Sequence, residues 1–143
     1  MRIKRASAAV LAAIAVAVGG SVVAASPATA ADTCAGSQVA SMNTYNPSNG
    51  NLIAITRAYR GNGQICVVSV KQNGYYGKNT HMELWMYKAG VNPKNDSGNF
   101  LYMAGPVRMT DNGCIHFELD LWNGPTPGGS NIAQDYYYPG VSC

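Results

Sequence analysis

The sequence predicts an all-β domain, a small antiparallel β-sandwich or barrel held by two disulfides, and three observations carry that prediction. Short runs rich in valine, isoleucine, tyrosine and tryptophan are separated by glycine, asparagine and proline turns. No stretch beyond the N-terminal leader keeps a helical apolar period. Four cysteines, Cys34, Cys66, Cys114 and Cys143, follow an export-type leader, and no Cys-x-x-Cys pair points to metal or redox chemistry.

Residues 1–31 read as a cleaved signal peptide. Met1-Arg2-Ile3-Lys4-Arg5 is the cationic start, an apolar run begins at Ala6, and Ser26-Pro27-Ala28-Thr29-Ala30-Ala31 supplies the small residues of a cleavage site. The uncharged stretch from Ala6 to Ala25 is long enough to span a bilayer. Alanine is only weakly hydrophobic, however, and no basic stop follows, so cleavage is the favoured reading and the mature chain is expected to have no membrane span. That chain, 32–143, is a single domain without internal repeat or linker. At about this length roughly two-thirds of the extended-chain surface is buried on folding, enough for a modest core.

Removing the leader changes the charge. Three of the ten Lys and Arg residues are Arg2, Lys4 and Arg5, which leaves seven against seven Asp and Glu. A neutral domain with scattered charges has no electrostatic footprint for nucleic acid or an anionic membrane.

The strands are expected in this order. Leu52 to Tyr59 follows the Pro47-Ser48-Asn49-Gly50 turn and forms a hairpin with Gln64 to Lys71 through Arg60-Gly61-Asn62-Gly63. In the second strand Cys66, Val68 and Val70 are assigned to the core, and Ile65, Val67, Ser69 and Lys71 to the other face, passing from covered to wet. Next come His81 to Lys88, Phe100 to Met103 with Pro106 to Met109, Cys114 to Leu121, and Asp135 to Tyr138. Ala89 to Asn99 and Asn123 to Asn131 read as long loops. Three disulfide connectivities are open. Strand phase points Cys114 away from Ile115, Phe117 and Leu119 while Cys66 points inward, which favours Cys34 with Cys66 and Cys114 with Cys143.

Candidate chemistry is sparse. His81 and Glu83 are two apart, as are His116, Glu118 and Asp120, so each set shares a strand face. If those strands were neighbours, His81, Glu83, His116 and Glu118 would be weak candidate ligands for a divalent metal, but spacing of two is also what any solvated strand face gives. No nucleophile motif is present, a catalytic carboxylate pair among Glu83, Glu118 and Asp120 is a minor alternative, and no cofactor is expected. The aromatic residues are the better ligand-binding candidates: Trp85 and Tyr87, in phase with Glu83, and Tyr75 and Tyr76 near a loop. A sandwich that buries both strand faces would instead make Trp85 core.

The run Ile65-Cys66-Val67-Val68-Ser69-Val70, then Leu84-Trp85, Asp96-x-Gly98-x-Phe100, Tyr102-Met103-Ala104-Gly105-Pro106-Val107 and Gly113-Cys114-Ile115 resembles the spore-associated protein A family of Streptomyces and related actinobacteria. Ala104-Gly105-Pro106-Val107 is the most specific element. The chain departs from the family after Cys114, where His116-Phe117-Glu118 stands in place of Trp-Gly. The resemblance implies a small secreted protein of the spore or aerial-hypha surface, without assigned activity. The expectation is therefore a non-catalytic surface or extracellular-matrix component with cell-wall, spore-coat or glycan partners. A carbohydrate- or protein-binding module, including an extracellular inhibitor, is the alternative, and a small hydrolase the lesser one.

Overall fold

The computed structural model describes residues 34–126 and 128–138. The leader and the Cys114 to Cys143 pairing lie outside the described residues. Eight strands are present among those described: β1 (Ser37–Tyr45), β2 (Leu52–Gly61), β3 (Gln64–Lys71), β4 (Thr80–Lys88), β5 (Val91–Phe100), β6 (Met103–Thr110), β7 (Ile115–Trp122) and β8 (Asn131–Tyr137). They form two antiparallel sheets, the first in the order β1-β2-β3-β6 and the second β5-β4-β7-β8. Among the described residues no helix is long and apolar enough to cross a membrane.

One core cluster joins the sheets. Ala58, Ile65, Val67, Val107 and Met109 from the first meet Met82, Leu84, Met86, Ile115, Phe117, Leu119 and Leu121 from the second. Strict alternation in β4 and β7 puts those side chains on one face and leaves the intervening polar and aromatic residues on the other. The β2–β3 hairpin closes through Asn62 and Gly63, both at positive φ (53° and 69°), with Gly61 paired to Gln64. Two such residues give the type I′ geometry that matches strand twist.

Three expectations are corrected. The face of β3 that enters the main core is Ile65 and Val67, followed by buried Ser69 and Lys71. Cys66 and Val68 lie on the opposite side, in a second cluster with Cys34 and Tyr59. Both faces of β3 are covered, so composition alone does not set its phase. Ala89 to Asn99 is not a loop: residues from Val91 onward are β5, paired to β4 from Lys88↔Val91 to Thr80↔Phe100. β1, which carries no strong apolar period, is held by its pairing to β2. The charges, finally, are not scattered, as the site below shows.

The Cys34–Cys66 bridge is present, with a sequence separation of 32, and it ties the start of the described chain to the outer side of β3. Gly36 and Gly61 pass close enough there that a Cβ on Gly36 would stand 2.8 Å from the Gly61 Cα. Lys71 is fully buried. Its Nζ donates to the carbonyls of Lys78, at 2.8 Å, and Phe100, so the buried ammonium is satisfied by backbone acceptors. Burial foremost, with help from the Lys78 charge, lowers its pKa to about 8.

Candidate functional site

The outer face of the second sheet collects most of the residues singled out from the sequence. Pairing of β4 with β7 sets Glu83 beside Asp120, Trp85 beside Glu118 and Tyr87 beside His116. Pairing with β8 adds Gln134 beside Asp120 and Tyr136 beside Glu118, and β5 adds Asn95, Ser97 and Asn99 on the other flank. Three of the six carboxylates among the described residues therefore share one face, and no Lys or Arg takes an outward position there. Arg57 and Arg108 are in register with Val68 and Cys66 on the outer side of the other sheet.

The carboxylates are anchored individually. Glu118 and Asp120 are each only 7% exposed. The Tyr87 hydroxyl donates to Glu118 Oε2 at 2.8 Å and the Gln134 amide to Oε1 at 2.7 Å. Asn131 Nδ2 donates to Asp120 Oδ1 at 3.2 Å. Burial foremost raises the Asp120 pKa to about 6; the Asn131 bond opposes this, while the charges of Glu118 and Glu83 add to it. Glu83 moves the other way. Its oxygens face His81 Nε2 at 3.0 Å and the Trp85 indole N–H at 3.2 Å; the His81 bond is the main reason its pKa lies below the ordinary range, despite burial.

The rings lie on the same surface. Trp85 and Tyr87 are half-buried and stack at 6.2 Å between centroids, so Trp85 belongs to this outer face and not to the core. Tyr136 stacks on Tyr138 at 5.9 Å, and Tyr138 touches the His116 ring at 5.0 Å. His81 meets Trp122 edge-on at 4.6 Å, with Nδ1 2.9 Å from the Thr126 hydroxyl.

The two histidines do not converge. His116 pairs with Tyr87, six residues along β4 from His81, a separation of roughly 20 Å at about 3.3 Å per residue. Among the described residues no group of three or more His, Cys, Asp and Glu is placed to hold a metal ion. Tyr75 and Tyr76 lie elsewhere, at the 3-10 turn Asn73–Tyr75, where Tyr76 contacts Tyr102 at 4.9 Å and Lys78 sits over the Tyr75 ring. Trp122, Gln134, Tyr136 and Tyr138, with Asn95, Ser97 and Asn99 of β5, are members of the face that sequence reasoning did not assign to it. Their signal was the alternation of Gln134, Tyr136 and Tyr138.

The Asp120 shift has a measurable consequence. Its folded-state pKa lies above the ordinary 3.8, so on acidification the folded state takes up this proton before the unfolded chain does. Stability should rise as pH falls from about 6 toward 4, by about 1 to 2 kcal/mol after allowance for solvent, and decline below that as Glu83 is protonated. Asp120→Asn keeps an acceptor for Asn131 and should raise the melting temperature at pH 7 while flattening the profile between pH 4 and 6. A variant that melts lower at pH 7, or keeps the profile, contradicts this.

Comparison with protein-family models, curated proteins and solved structures gives no match.

Proposed function

We propose that the protein is a secreted, non-catalytic surface module whose acidic, aromatic face binds polyhydroxylated partners without negative charge, such as glycans of a cell wall or spore coat. The leader supports export, and the Cys34–Cys66 bridge is of the kind that persists in oxidising compartments. The observation that carries the binding reading is the stacked, half-buried Trp85–Tyr87 pair beside hydrogen-bonded carboxylates. Rings with two soft torsions supply apolar contact at low entropy cost, and the surrounding carboxylate, amide and hydroxyl groups match sugar hydroxyls. The concentration of carboxylates without Lys or Arg disfavours acidic polymers.

The anchoring of the acids argues against hydrolysis: Glu118 is held by Tyr87 and Gln134 and Asp120 by Asn131, so oxygens that a general acid or nucleophile would turn toward a glycosidic bond are already engaged. Trp85→Ala and Tyr136→Ala are expected to weaken retention on insoluble cell-wall polysaccharide by roughly 1 to 3 kcal/mol each. Tyr76→Ala, at the other location, should have no effect. Unchanged retention in both face variants, or loss in Tyr76→Ala alone, would sink the proposal.

A further inference from the structure

We infer that a second site, independent of the aromatic face, binds a tetrahedral oxyanion between the ammonium groups of Lys88 and Lys94. A cavity of about 150 Å³ lies between the β4–β5 and β6–β7 turns, lined by Lys88, Val91, Lys94, Met109, Thr110 and Asn112. At about 30 Å³ per water it has room for roughly five water volumes, enough for a phosphate or sulfate group with part of its hydration.

The two ammonium groups are positioned by the fold. Lys88 and Lys94 pair with Ile115 and Met86, residues that face the core, so both side chains leave the rim of the inner face and reach toward β6. Lys88 Nζ donates to the Thr110 carbonyl at 3.0 Å and Lys94 Nζ to the Arg108 carbonyl at 3.1 Å. Those carbonyls are two residues apart on one strand, about 7 Å, a spacing that lets an oxyanion accept from both ammonium groups at once. Each ammonium has three donors and has committed one to a carbonyl.

Charge points the same way. Asp111, the carboxylate nearest in sequence to the cavity, is engaged by Arg60 at 2.9 Å. Two like charges thus flank a cavity whose floor includes buried Met109. An anion between them replaces their mutual repulsion by two charge-assisted hydrogen bonds. Thr110 and Asn112 add uncharged polar groups at the rim.

The test is an amide NMR titration of the mature protein with sodium phosphate, sodium sulfate and, at matched ionic strength, sodium chloride. Saturable shifts confined to residues 88–94 and 108–113 are expected with the two oxyanions and not with chloride. Lys94→Gln, at an exposed position, should weaken phosphate binding at least fivefold, and Lys88→Gln with Lys94→Gln should abolish it, with melting temperatures reported alongside. Trp85→Ala should titrate like the parent protein, which separates this site from the aromatic face. Glucose 6-phosphate distinguishes the source of the anion: binding as tight as inorganic phosphate identifies an ester group on a larger partner, and exclusion identifies the free ion. Linear shifts shared with chloride, or saturable binding unchanged in Lys94→Gln, would overturn the inference.

Discussion

Replacing both Cys34 and Cys66 by alanine is expected to lower stability by about 3 to 4 kcal/mol, read as a fall in the urea midpoint at neutral pH. The bridge closes a sequence separation of 32 residues, and the chain-entropy account of a cross-link that long gives a loss of this size. For a domain of this length total stability is about 5 to 15 kcal/mol, so the variant gives up a large fraction of it. Local packing deepens the effect. The half-cystines are 2% and 3% exposed against Tyr59 and Val68, and the segment they anchor covers the outer side of β3. A loss below about 1 kcal/mol would show that the Gly36–Gly61 approach and the packing on Tyr59 hold the segment without the covalent link.

Gly105→Ala should be nearly as damaging, at about 2 to 4 kcal/mol, for an unrelated reason. Gly105 sits at φ 95° where β6 shifts register against β3 between Val67 and Ser69. A Cβ there would stand 2.8 Å from the Val67 carbonyl oxygen, 3.1 Å from Leu84 Cδ2 and 3.2 Å from Val68 Cα. Two of those neighbours are backbone and cannot swing aside, and the conformation is one that L side chains rarely adopt. Its N–H also donates to Asp96 Oδ2 at 2.6 Å, joining β6 to β5. Chemical denaturation and a crystal or NMR structure would test this. A stable variant with an unchanged β3–β6 register would refute it. Ala104-Gly105-Pro106-Val107, distinctive as a sequence string, is thus explained by a bulge that only glycine fits.

What the sequence made legible was local. Asn62-Gly63 between two apolar runs specified the β2–β3 hairpin, and the alternation Met82-Leu84-Met86 and Ile115-Phe117-Leu119-Leu121 specified which sides of β4 and β7 face inward. β5 was hidden because Asn92-Pro93-Lys94-Asn95-Asp96-Ser97 has no apolar period; an edge strand is held by its neighbour's hydrogen bonds and needs none. The phase of β3 was ambiguous because both of its faces are apolar. Lys71 tipped the assignment the wrong way, since a lysine is seldom fully buried unless its charge has partners, and here the partners are the carbonyls of Lys78, in the next turn, and of Phe100, at the end of β5. The residues of the site were readable one strand at a time. That Glu83 would lie beside Asp120, and Tyr136 beside Glu118, depends on non-local register that spacing within a strand does not encode.

The order of strands also distributes rigidity. β4 and β7 are interior strands, hydrogen-bonded on both sides, while β5 and β8 are the margins of their sheet. Amide exchange from interior strands needs the larger, rarer openings, whereas margins open on their own. Glu83, Trp85, Tyr87, Glu118 and Asp120 all stand on the slow pair. A partner that lands on their side chains meets a backbone already fixed in place, and the ordering entropy left to lose on contact is concentrated in the outer strands and their exposed tyrosines.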